Sequence, residues 1–207
     1  MPARATLYAL VLLLGAACNK QGPPPTTVPT AWRNPEFSGV PFTSFFIIGV
    51  ARNDEYRRLY EDHMARALAG QGALVRASWT VFPESEKLDR AQVLVAVDEA
   101  GYDAVVIARL KDVKEQPVYV PARPATSSDE YMGGYDEKYA VNSDPAHYRK
   151  QTTYRIETSV YSVRDELLAW VALSDTVDPQ TVEDVIHSVT SNLAKRMKAE
   201  GLIKDPP

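Results

Sequence analysis

Residues 42–51, FTSFFIIGVA, constrain the fold more than any other stretch of the chain, because an apolar run of strand length demands cover on both of its faces. A second such run follows at 102–110, YDAVVIARL. Between them the spacing changes. Tyr56, Leu59, Tyr60, His63, Met64, Ala67 and Leu68 recur at helical intervals after a cap at Asn53 or Asp54, and Gly70 ends the helix. Residues 73–82 are rich in β-formers and predict a second strand. Asp89 with Gln92 three residues on predicts a capping box for a helix to Ala100, closed by Gly101. The order β-α-β-α-β puts helices against a largely parallel sheet.

Beyond residue 110 the rhythm breaks. Residues 118–120 prolong or follow the third strand, and 121–146 show no sustained period. Alternation then returns: Tyr154, Ile156, Thr158, Val160 and Ser162 share one face, with Arg155, Glu157, Ser159 and Tyr161 on the other. Arg164, Asp165 and Glu166 supply a polar turn and LLAWVAL returns at 167–173, which is a β-hairpin. Asp178 is placed to cap a last helix with Pro179 at its first position, and Val182, Val185, Ile186, Val189, Leu193 and Met197 form its apolar stripe up to Gly201. The expected fold is therefore α/β (α+β): a β-α-β-α-β core, a long insertion, a hairpin and a C-terminal helix packed on a mixed sheet. No pair of strands with about 9 to 11 alternating residues is evident, so membrane hairpins of the pore-forming kind are not expected.

The N-terminus carries one Arg, at position 4, then an apolar run from residue 5 to residue 17, short of the roughly 20 residues that span a bilayer. It fits a signal peptide over 1–17, ending in the small residues Gly15, Ala16 and Ala17. Cys18, the one cysteine, follows directly. The sequence L-G-A-A-C resembles the lipobox of bacterial lipoproteins, which implies cleavage before Cys18 and acylation of its sulfur and amino group. Cleavage after Ala17 by an ordinary signal peptidase is the alternative, and it would export a lone free thiol. By the same resemblance, Asn19 in place of an Asp implies the outer membrane, periplasmic side. Residues 18–41, with Pro at 23, 24, 25, 29, 35 and 41, predict a stiff extended linker from lipid to domain. Trp32 and Phe37 either pack back onto the domain or rest at the membrane interface.

The segments FFIIGVARNDEYRRLYEDHMARALAGQGALV, AGYDAVVIARLKDV and YRIETSVYSVRDELLAWVALSDTVDP, with the helix after them, resemble a group of uncharacterised bacterial lipoproteins. Their plan is similar to the TolB amino-terminal domain and to the curli-secretion and penicillin-binding-protein-activator lipoproteins. The resemblance implies one TolB amino-terminal-like domain over 42–203. Where that family's hairpin turn carries Gly, this chain has Asp165 and Glu166.

Chemistry is sparse. With 23 basic and 27 acidic residues, net charge -4, the chain lacks the basic surplus of a nucleic-acid binder. His63, His147 and His187 form no i, i+4 pair and Cys18 is committed to the anchor, so no metal site and no cofactor are expected. Gly70-Gln-Gly lacks the third glycine of a dinucleotide loop and follows a helix, and no G-x-S-x-G occurs. The acidic pairs, Glu61-Asp62 among them, read as solvated surface. No catalytic residue is identified. The notable stretch is the insertion at about 121–147, where Tyr131, Tyr135 and Tyr139 make a candidate partner-binding loop. The sequence thus leads to a non-enzymatic, lipid-anchored cell-envelope protein that offers an α/β interaction domain to an envelope partner. The alternative is a periplasmic binder of small ligands or wall fragments, using the carboxyl ends of the strands.

Overall fold

The computed structural model describes residues 26–83, 90–122 and 145–204. Cys18, Asp89, Tyr131, Tyr135 and Tyr139 lie outside the described residues, as do residues 1–17, expected to be a signal peptide. Six strands form one mixed sheet in the order β1-β6-β5-β4-β2-β3. The parallel part is β2 (Ser44–Val50) between β3 (Leu74–Ala77) and β4 (Ala104–Val120). The antiparallel part is β4 with β5 (His147–Ser162), β5 with β6 (Leu167–Val177) and β6 with β1 (Thr26–Arg33). The helices are α1 (Asp54–Ala69), α2 (Arg90–Glu99) and α3 (Val182–Ala199). This is the mixed α+β architecture expected from the alternation of apolar periods.

Apolar burial is two-sided but unequal. Phe45, Ile47, Val106 and Trp170 from the sheet pack with Met64 and Leu68 of α1 and Val189, Leu193 and Met197 of α3 in one large cluster. On the opposite face a smaller cluster joins Phe46, Ile48 and Val105 to Val97 of α2. β5 follows the predicted alternation, with Ile156, Thr158, Val160 and Ser162 buried.

Four expectations are corrected. Residues 26–33 are a sheet strand and not spacer: β1 pairs with β6 from Thr26↔Thr176 to Arg33↔Trp170. Pro29 hides this strand from sequence reading, and the register shifts between Thr27 and Thr30, the kind of bulged edge position where a residue without an N–H is tolerated. Phe37 is buried and stacks on Phe42 at 5.2 Å, while Trp32 stays 46% exposed. The second strand stops at Ala77 and turns into a 3₁₀ segment, Ser78–Thr80, because Ser78 and Trp79 are drawn round to the carboxylate of Glu61.

The cap of α3 is Thr181 in a reciprocal capping box with Asp184, and not Asp178. Asp178 instead turns the chain at φ 46, its N–H donating to the Thr152 carbonyl and its carboxylate accepting from the Thr152 N–H. Finally, a long strand pair does exist. β4 and β5 are paired from Ala104↔Ser162 to Val120↔His147, while β2 accompanies β4 only as far as Arg109 and β6 accompanies β5 only from Thr153. The outer rungs therefore form a two-stranded ribbon.

Candidate functional site

The sheet is closed on one face by α1 and α3 and only half closed on the other by α2. Register carries one row of that second face across the sheet: Trp32 lies beside Val171, Val171 beside Ser159, Ser159 beside Ile107, and Ile107 beside Ile48. Ile48 and Ile107 belong to the cluster beneath α2. Val171 and Ser159 are half-buried and Trp32 is exposed. The next row is charged. Glu157 is bound by Arg109 and Lys111, with Nη2 to Oε1 2.6 Å and Nζ to Oε2 2.5 Å, and these contacts hold its carboxyl below the usual range. Arg155 grips Asp175 through two hydrogen bonds, 2.7 and 2.6 Å, which lower the Asp175 carboxyl likewise.

Where α2 does cover this face it leaves a groove of about 1170 Å³, lined by Ile48, Gly49, Val93, Val97, Ile107 and Tyr161 among others. It runs along β2 and the first residues of β4, from Val50 and Ala51 to Ser162, Val163 and Leu167 at the hairpin turn. α1 leads from β2 outward to β3, and α2 leads back from β3 to β4. Only its Val50–Ala51 end lies at the carboxyl end of β2, where open α/β sheets take ligands.

One wall of the groove rests on a buried ionic node. Arg57 and Glu61, one turn apart on α1, are 1% and 0% exposed. Glu61 Oε1 accepts from the Gly49 N–H at 2.9 Å and from the Ser78 hydroxyl at 2.7 Å, and Oε2 accepts from the Trp79 N–H at 2.8 Å. Arg57 donates to the carbonyls of Phe82 and Pro83 at 3.2 and 3.1 Å and stands 4.0 Å from Glu61. Burial pushes the Glu61 carboxyl up, and the three hydrogen bonds and the guanidinium pull it part of the way back. Glycine at 49 is required by this packing, since a Cβ there would lie 3.3 Å from the Arg57 carbonyl oxygen and 3.5 Å from Glu61 Cγ. The Glu61-Asp62 pair is thus not solvated surface: Glu61 is core, and Asp62 accepts from Trp79 Nε1 at 2.7 Å. The spacing of 57 and 61 with Met64 and Leu68 was the available signal, overruled by the residues' charge.

The structure also joins residues that sequence separation hides. His63 of α1 and His187 of α3 meet with ring centroids 5.7 Å apart and planes at 86°. Burial, then Arg66 and His187, hold the His63 imidazole below its usual value. Among the described residues no three His, Cys, Asp or Glu side chains are grouped as metal ligands, and no helix is long and apolar enough to cross a membrane.

Of the predicted site residues, the structure describes only the ground from which the insertion springs. Tyr119 and Tyr148 face each other on the ribbon at 5.4 Å, 55% and 72% exposed.

No family model matches the chain, and no curated protein does. Among solved structures it is similar to the PelC dodecamer from Paraburkholderia phytofirmans, at 12% identity and a TM-score of 0.46, over 86% of this chain and 99% of that one. It is also similar to lipoprotein GNA1162 from Neisseria meningitidis, at 12% identity and 0.39, over 76% and 99%. A PDZ domain protein from Parabacteroides distasonis is similar at 9% identity and 0.41, over 84% of this chain and 35% of that one. Likeness this distant leaves the chain's function to its own residues.

Proposed function

We propose that this is a non-enzymatic bacterial envelope protein, lipid-anchored through Cys18 on the periplasmic side of the outer membrane, whose open sheet face receives an envelope protein. The observation that carries the reading is the one-sided closure of the sheet: the row Trp32, Val171, Ser159 continues the apolar ground beneath α2 without a helix of its own. A sheet face with apolar members normally gains cover. The flanking pairs Arg109–Glu157 and Arg155–Asp175 give that face polar edges, as interfaces have. The anchor rests on L-G-A-A-C at residues 14–18.

A photo-crosslinking residue at Val171 in living cells tests the interaction. Discrete adducts at 171 that disappear in Trp32→Asp are expected, with none from the same probe at Arg66 on exposed α1. Equal crosslinking at both positions would remove the open face from the proposal. The anchor is tested by the mass of the mature N-terminus and by release of Cys18→Ala from the membrane fraction.

The groove favours a second reading, a small-ligand binder. Thermal-shift screening against wall fragments and nucleotides addresses it, because a ligand that prefers the native state raises the melting point. A shift abolished by Val97→Arg would place that ligand in the groove.

A further inference from the structure

We infer that the β4–β5 ribbon lies against the bilayer that holds the anchor, with Tyr119 and Tyr148 at the level of the phospholipid headgroups. This rests on the acylation of Cys18.

The argument begins with strand direction. β1 is antiparallel to β6, β6 to β5 and β5 to β4, so β1 begins at the end of the sheet where β4 finishes and β5 starts. Thr26 shares one row with Thr176, Tyr154 and Val113. Past that row the ribbon continues from Lys114↔Thr153 to Val120↔His147. At about 3.3 Å per residue, those seven rungs project about 23 Å beyond the start of β1.

The leash is equally short. From Cys18 to Thr26 the chain makes eight Cα steps, which fully extended reach at most about 29 Å. Tether and ribbon thus leave the same end of the sheet with nearly equal reach. A domain held by acyl chains at Cys18 brings its ribbon to the headgroups.

The ribbon's chemistry suits that place. Val113, Glu115, Pro117 and Tyr119 alternate onto one face beside Tyr154, Thr152, Lys150 and Tyr148, with Glu115 and Lys150 paired at 2.7 Å between the tyrosines. Tyrosines concentrate at membrane–water interfaces because the ring is apolar and the hydroxyl wet. Lys114, Arg149 and Lys150 are each paired with a carboxylate, Asp112 at 3.9 Å, Asp178 at 2.5 Å and Glu115 at 2.7 Å, so the ribbon meets the headgroups through its tyrosines and not through net charge. A free two-stranded ribbon is marginal in water, so a supporting surface also meets a need of the fold.

The test uses the full lipidated protein in vesicles of phosphatidylethanolamine and phosphatidylglycerol carrying a headgroup quencher. Acylation consumes the only native thiol, so Tyr119→Cys, Tyr148→Cys and Arg66→Cys can each carry one fluorophore. The expected result is quenching several-fold stronger at 119 and 148 than at 66. Should either tyrosine variant lower the melting temperature, Pro117→Cys, two rungs away on the same face, repeats the measurement. If mass analysis shows an acylated N-terminus and the ribbon labels are quenched no more than 66, the ribbon contact is overturned and the anchor stands. If the N-terminus is unmodified, both fall together.

Discussion

At the scale of single residues, Glu61 ties three segments of chain together: the end of β2 through Gly49, the 3₁₀ turn through Ser78 and Trp79, and its own helix. Glu61→Ala strips the buried Gly49 N–H and Ser78 hydroxyl and the part-buried Trp79 N–H of their acceptor and leaves the buried Arg57 guanidinium with Asp54 as its remaining carboxylate. Urea denaturation is expected to show a loss of about 3 to 5 kcal/mol, the cost of breaking a buried, hydrogen-bonded charge. The hairpin turn offers the opposite case. Glu166 sits at φ 53, a left-handed conformation that costs a side-chain-bearing residue roughly 1 to 2 kcal/mol. Glu166→Gly should therefore raise the unfolding free energy measured in urea, by up to about 1 kcal/mol once the extra entropy of glycine in the unfolded chain is subtracted. The Gly expected there by resemblance is thus the residue the backbone would prefer, and Glu166 bears the strain in its place.

At the scale of elements, what the sequence made legible was whatever repeats. The apolar strands β2 and β4, the stripes of α1 and α3 and the alternation of β5 could be read because burial imposes period 2 or 3.6 on neighbouring residues. What escaped was set by partners distant in sequence. β1 is held by β6 and by Asn34, whose N–H and Nδ2 donate to the carbonyls of Ala169 and Leu168, both at 2.9 Å. Its one proline and three threonines carry no period of their own. The open sheet face escaped for the same reason, since Trp32, Val171 and Ser159 become neighbours only through register. A chain begun at Phe42 would lose β1 and Phe37, bare the edge of β6 and uncover part of the cluster around Trp170. Compared with a chain begun at Thr26, it is expected to melt more than about 10 °C lower or to aggregate, as unprotected strand edges do. Differential scanning calorimetry of the two distinguishes a strand from a spacer.

At the scale of the whole molecule, pH sums the ionic contacts. Glu157, Asp175 and Asp178 are held below their ordinary values mainly by hydrogen bonds from Lys111, Arg155 and the Thr152 N–H respectively. Burial raises Asp103, but the Thr43 hydroxyl and the N–H groups of Thr43 and Ser44 outweigh it and hold that carboxyl low too. For each of these the unfolded chain binds its proton more readily, so the stabilisation is complete above the unfolded values, 3.8 for Asp and 4.5 for Glu, and is lost as pH falls through the folded ones. Glu61 has the opposite sign. Its folded value is raised, so its contribution is greatest below 4.5 and declines as pH climbs through the folded value. Urea midpoints taken from about pH 2 to about pH 8 should rise steeply in acid and then flatten or turn down. In Glu61→Gln the acid rise should persist and the later decline should vanish.

The placing of β1 has a mechanical consequence. Under the proposed acylation of Cys18, a pull from the membrane would enter the domain at Thr26 along the strand axis and strain the rungs from Thr26↔Thr176 to Arg33↔Trp170 together in shear, not unzip them one by one. The same edge strand that completes the sheet would then serve as its strain relief, shielding the core behind Trp170 from a load applied at Thr26.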